Sequence, residues 1–415
     1  MRVISLSILM LVISICSFGQ NQKRKCASHE LHLKKMKNDV AYVQNRQAIE
    51  SATQNYKAQN DYRSGNILTI PVVVHVIHNG EAVGNGQNIS DAQIKSQIDV
   101  INQDYRLLNT NALPNNHAFY SVTADCEIEF CLVNKDPNGN ASTGITRHNM
   151  GKAAWTVDNF DTQVKPSTAW DRTKYLNIWV TTFEGNDAST LGYATMPGTN
   201  DATDGVVIAA NNFGLSGNAP FNLGRTATHE IGHYLDLAHI WGDADCGDDL
   251  VADTEPQKAE SAGCPTFPSN PNNGCSGANG EMFMNYLDYS DDNCMAMFTK
   301  GQKDRMRAAL TGSRASLLTA NVCANATSLN TLSEKGITIY PNPAENIVNI
   351  NASSNTRYIE VHVYDVNGKE VLTKKDMATN ENTILLNVSA LNNGFYIVSI
   401  ISDSGIVSQP LTVIK

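Results

Sequence analysis

Residues 226–242 read TATHEIGHYLDLAHIWG, with three histidines inside eleven residues and a glutamate beside the first. On a helix, His229 and His233 lie four apart, about one turn, so both imidazoles can reach one ion. Glu230 stands between them and can be directed at a water on that ion. Catalytic zinc takes three protein ligands and keeps one position open, which makes His239 the expected third ligand. Ten residues along one straight helix would carry His239 off the shared face. The helix must therefore end and the chain turn at about Asp236, a residue type that enters the left-handed region more readily than most, though less readily than Gly. The competing reading is a helix with surface histidines. Glu255 and Glu260 compete as third ligands, but DCGDDLVADTEPQ around them is loop-like and would not present a second helix.

The elements that must hold this stretch come from a chain of 415 residues, 41% hydrophobic, enough for two or more cored domains. A net charge of −10 disfavours nucleic acid as a partner, because phosphate binding needs clustered Lys and Arg. No apolar run reaches the roughly 18 residues of a transmembrane helix. Met1-Arg2, the short apolar run Val3–Cys16 and Ser17-Phe18-Gly19 predict a secretory signal peptide over 1–19. Bulky Ile15 before Cys16 argues against lipidation. Residues 20–62 are polar and Lys-rich with modest helical periodicity, and contain Cys26. A core begins at ILTIPVVVHVI, Ile67–Ile77, a buried strand by its β-branched run. Ser90 and Gln93 predict a capping box for a helix whose inward face is Ile94, Ile98, Ile101, Tyr105 and Leu108. Further strands are expected at Glu127–Val133, Tyr175–Thr182 and Gly205–Ala209, and a last helix at Gly301–Leu310. This order predicts an α+β or α/β domain over 63–320. After a linker at 321–335, short alternating strands over 336–415, with Ile359, Val361 and Val363 on one face and a turn at Asn367-Gly368, predict a small all-β sandwich.

HEIGHYLDLAH resembles the metzincin zinc motif, and with LGRTATHE, HIWGD, VADTEPQ and MNYLDYSDDNCMAMFTKGQ the chain resembles the pappalysin family over roughly 65–318. The resemblance implies an α+β two-lobed zinc protease domain, with a twisted sheet above the active-site helix. It departs at Asp236, where metzincins usually have Gly, and at Leu287, where the Met-turn methionine is expected; Met284 is a second candidate for that packing role. The activity implied is a secreted zinc endopeptidase in which Glu230 acts as general base on a zinc-activated water and Tyr289 hydrogen-bonds the tetrahedral intermediate. A catalytically inert surface adhesin on a protease fold is the alternative.

The same resemblance implies calcium at Asp249 and Thr254, in a loop crowded with Asp245, Asp248 and Asp253, whose carboxylates repel unless solvated or bridged by a hard cation. It implies the disulfides Cys246–Cys275 and Cys264–Cys294. Cys126 and Cys131 point to opposite faces of one strand and should not pair together; either can join Cys323. Asp292 is implied to line the pocket for the residue after the scissile bond, favouring Arg over Lys through bidentate pairing. The 20–62 segment is expected to be a pro-segment that silences the zinc through Cys26 and is cut between Tyr62 and Arg63. A Cys26 disulfide with Cys126, Cys131 or Cys323 is the alternative. The tail, with ITIYPNPAENIVNI, VYDVNGKEV and LNNGFYIVSI, resembles a type IX secretion sorting domain, which implies export from a Gram-negative bacterium; a carbohydrate-binding or adhesive sandwich is the alternative.

Overall fold

The computed structural model describes residues 24–59, 66–199, 204–217, 219–323, 338–351, 358–365, 369–375, 383–402 and 405–415. The signal-peptide stretch, Tyr62, Arg63, Asn367, Gly368 and most of the linker lie outside them. The chain divides into two compact units between Val322 and Cys323.

In the first unit, β1 (Leu68–His78) is the central strand, buried through most of its length because both faces are covered. On one edge it pairs in parallel with β2 (Ile128–Leu132) through its first half and with β3 (Ile145–Asn149) through its second. On the other edge follow β4 (Leu176–Thr181), β6 (Val206–Ala209) and β5 (Gly192–Ala194). Only β5 runs antiparallel to its neighbour, and it forms the sheet edge. Helix α3 (Asp91–Tyr105) buries Ile94, Ile98, Ile101 and Tyr105. It ends at Tyr105, so Leu108 is exposed rather than inward-facing. Ser90 accepts from the Gln93 amide at 3.1 Å, but the Gln93 side chain reaches to Ala210 and Phe213, so only half of the expected capping box forms. Thr299 and Gln302 make the full box at the last helix, Lys300–Thr311. Before β1, the segment expected to be a pro-segment forms α1 (Ser28–Asn38) and α2 (Val40–Gln59), and α2 packs on the Lys300–Thr311 helix.

The second unit is all β. Four strands are ordered β10 (Glu370–Lys375), β9 (Tyr358–Asp365), β12 (Gly394–Ser402), β13 (Gly405–Val413), and three are ordered β11 (Thr383–Asn387), β8 (Ile347–Asn351), β7 (Thr338–Tyr340). Its core is wholly aliphatic, including Val348, Val361, Val363, Val398 and Ile400. Among the described residues no helix is long and apolar enough to cross a membrane.

Candidate active site

The active-site helix spans Arg225–Tyr234, and every one of its residues is buried. Asp236 takes φ +80°, and the turn there brings His239 back to the helix. His229 Nε2 and His239 Nε2 each lie 3.1 Å from His233 Nε2. Each Nδ1 is engaged elsewhere: His229 with the Tyr286 carbonyl at 2.7 Å, His233 with the Leu237 carbonyl at 2.8 Å, His239 with the Asp243 carboxylate at 2.5 Å. Those acceptors place the ring protons on Nδ1 and leave three Nε2 lone pairs facing one point. Three acceptors with no proton between them repel at this distance, so the donor set fits a cation. Burial pushes His233 down to about 3 and His229 well below the usual imidazole range, which keeps both neutral. The Cys26 Sγ completes a four-membered cluster with these nitrogens, all within 4.8 Å.

Glu230 sits beside the cluster, and burial raises its carboxyl to about 7. Its Oε2 accepts from Ser28 Oγ at 2.8 Å and from Cys26 Sγ at 3.3 Å. β5 approaches so closely that a Cβ on Gly192 would meet Glu230 Cγ at 2.9 Å, which explains the glycine. The N-terminal segment runs along this edge in parallel, with Leu191 N donating to Lys25 O at 2.9 Å and Ala27 N to Gly192 O at 3.1 Å. Leu287 fills the space below the helix, and a Cβ on Gly232 would stand 3.0 Å from it. The Tyr289 ring lies 5.0 Å from that of His239, and its phenol oxygen accepts from the Cys26 amide at 3.3 Å.

Asp292 is fully buried, not an exposed loop charge. Its Oδ2 accepts from the Leu223 and Arg225 amides at 2.8 and 3.3 Å, and only Oδ1 remains, taken by Arg24 Nη2 at 2.6 Å. Arg24 therefore pairs with Asp292 through one oxygen, the other being engaged by the helix N-terminus. Arg24 is instead surrounded, with Thr226 Oγ1 at 3.1 Å, the Ser290 carbonyl at 3.3 Å and the Phe221 ring at 4.8 Å.

Cys246 is joined to Cys275 and Cys264 to Cys294. Cys131 and Cys323 are disulfide-bonded, whereas Cys26 and Cys126 are free and buried. The alternative of a Cys26 disulfide is thereby excluded. Asp249 and Thr254 are brought together, the Thr254 hydroxyl donating to the carboxylate at 2.9 Å, and burial raises Asp249 to about 7. Sequence reasoning missed Arg24, Ser28, Asp243 and Asp104. For Arg24 the only signal is its place two residues before Cys26, and for Asp243 its place four after His239.

The pregnancy-associated plasma protein-A family of peptidases matches residues 158–311. An extracellular metalloprotease of Verticillium alfalfae is 32% identical over 267 residues, covering 61% of this chain and 81% of that protein. Mature mirolysin of Tannerella forsythia, solved in complex with a cleaved peptide, is 42% identical with a TM-score of 0.56 over 61% of this chain and 96% of that one. This chain belongs to the pappalysin family of zinc metalloendopeptidases. A mutant of Tannerella forsythia promirolysin is 39% identical with a TM-score of 0.63, and covers 71% of the pappalysin described here and 97% of its own chain. The family's zinc accords with the three converging histidines. Residues 338–414 match the secretion system C-terminal sorting domain, so this pappalysin carries the tail of a type IX-exported, extracellular protein.

Proposed function

We propose that this pappalysin is made as a latent proform, and that once matured it cuts peptide bonds before basic residues. The observation that carries the reading is the set of three Nε2 atoms within 3.1 Å steps of one another, with the Glu230 carboxylate beside them. His229, His233 and His239 would hold the zinc, which when bound supplies a lowered water pKa and a polarised substrate carbonyl. Glu230 takes the proton of the attacking water and passes it to the leaving amine. The Tyr289 hydroxyl donates to the oxyanion of the tetrahedral intermediate.

Latency follows from residues 20–62 acting as a pro-segment. Cys26 Sγ lies with the three histidines and would take the fourth ligand place of a bound metal, Ser28 and Cys26 occupy Glu230, and Arg24 pairs with Asp292. The increase in coverage from 61% against mature mirolysin to 71% against promirolysin supports this division. In substrates, the Arg24 place is taken by the residue after the scissile bond. Thr226 and the Ser290 carbonyl, rather than a second Asp292 oxygen, favour Arg over Lys there. Autolysis between Tyr62 and Arg63 satisfies that preference. The rest of the chain then divides into signal peptide 1–19, catalytic domain 63–320, linker 321–335 and sorting sandwich 336–415, in a Gram-negative host. Asp249 with Thr254 offers a buried oxygen pair that suits calcium.

The decisive experiment follows peptide cleavage and maturation together. Glu230→Ala should lose about 10²–10⁴-fold in kcat, zinc chelation should silence the unaltered enzyme, and Cys26→Ala should mature faster to a chain beginning at Arg63. Undiminished cleavage by Glu230→Ala would remove the mechanism, and unchanged maturation of Cys26→Ala would remove the switch.

A further inference from the structure

Asp292 has a counterpart in Asp236, at the turn that follows the active-site helix. Asp236 is fully buried, and its carboxylate lies between two arginines. Oδ2 lies 3.0 Å from Arg305 Nη2, and Arg305 Nε donates to the Asp236 carbonyl at 2.7 Å, both within the catalytic unit. Oδ1 goes to Arg46 of α2, whose Nη1 also donates to the Pro197 carbonyl at 3.1 Å. The N-terminal segment thus places one arginine on each aspartate. Its contacts progress along the chain from Arg24 at Asp292, through Cys26 at the histidines and His29 on Asp243 at 2.9 Å, to Arg46 at Asp236.

Beside Asp236 lies a cavity of about 200 Å³. His32 and Arg46 belong to its segment wall, and His233, Asp236, Asp243 and Asp248 to its domain wall, together with the Arg305 guanidinium. Removal of the segment takes away Arg46 and also Glu50, which pairs with Arg305 at 2.7 Å. Three carboxylates then face a single arginine, and Asp236 Oδ1 is left without its donor. A carboxylate oxygen in a partly dry pocket takes a charge-assisted hydrogen bond in preference to remaining empty.

We propose that this cavity is a second guanidinium-binding subsite, and that the mature enzyme uses it for an arginine among the substrate residues preceding the scissile bond. The assignment rests on the reading that residues 20–62 leave and that Asp292 takes the residue after the bond. Arg46 then marks the subsite as Arg24 marks the other pocket.

The test uses peptides with Arg fixed after the scissile bond and either Arg or Ala at each of the four preceding positions. For the unaltered mature enzyme, kcat/KM should rise about tenfold with Arg at one of these positions, and Asp236→Asn, a residue that accepts the left-handed turn, should reduce the gain to about twofold or less. Calorimetric binding of the same peptides to Glu230→Ala, matured in trans by unaltered enzyme, should show the same tenfold gain without turnover. This arm keeps the proposal testable should Asp236→Asn not fold. Equal kcat/KM and equal binding for Arg and Ala at every preceding position would overturn it, as would a gain unchanged in Asp236→Asn. A further peptide with Ala in place of the Arg after the bond reads the Asp292 pocket separately: equal cleavage of that peptide would instead overturn the reading of Asp292, so the two failures are distinguishable.

Discussion

The active-site helix and the tail sandwich bury their residues by opposite means. Along Arg225–Tyr234, Arg225, Thr226, Thr228, His229, Glu230 and His233 are polar or charged and all are buried. In the tail, the buried cluster contains only Ala, Val, Ile and Leu, and among the described residues none of the buried polar side chains lies there. An aliphatic core needs only complementary shape, and neighbours of similar volume substitute for one another. A buried polar helix needs a named partner for each group, since an unpaired one costs the full desolvation penalty. Asp104 is such a partner: its carboxylate accepts from Arg225 Nη1 at 2.9 Å, Thr228 Oγ1 at 2.6 Å and the Tyr286 hydroxyl at 3.0 Å. It ties α3 to the helix and to the residue whose carbonyl orients His229. Chemistry is concentrated where burial is most conditional.

That contrast can be broken most sharply at Asp104. Asp104→Ala leaves the Arg225 guanidinium buried without its main partner and should cost about 3–5 kcal/mol, read by denaturant unfolding of the first unit. A loss below about 1 kcal/mol would mean that the helix does not depend on named partners.

A smaller effect concerns pH. His75 in β1 is fully buried between Thr146 and Asn177, and burial lowers it to about 3. Its folded pKa lies below the unfolded value, so the unfolded chain takes up the proton first, and stability present above about 6.5 is lost as pH falls. Between pH 7 and 5 this amounts to about 2 kcal/mol, and His75→Gln should flatten the slope by that much. In the tail the sign reverses. Glu370 and Glu360 hold His362 above the usual imidazole range, so its contribution is present at low pH and lost as pH rises through the raised pKa. Equal slopes for unaltered protein and His75→Gln would contradict the assignment.

The smallest expected effect is in the sandwich. Ile400→Val removes one methylene from an aliphatic core and should cost about 0.5–1.5 kcal/mol, with export unchanged. A larger loss would show that the tail, too, depends on exact partners.

Spacing along the chain was enough to find the histidines, the glutamate between them and the need for a turn at Asp236, because helical geometry fixes which residues share a face. A β-branched run likewise found β1, strands were expected where β2, β4 and β6 lie, and alternation found the aliphatic face of the tail; hydrophobic patterning of this kind is local. It did not find β5, whose three residues are too few to carry a period, although they form the edge on which the N-terminal segment lies. It overran α3 to Leu108, because periodicity continued past the point where the helix stopped. The pairing of Asp292 with Arg24, of Asp236 with Arg46, and of His239 with Asp243 was decided by tertiary structure. Apolar patterning is local and repeats in sequence, whereas a carboxylate's two oxygens are shared out among groups as far as 268 residues away, and only the folded chain determines which oxygen is left free.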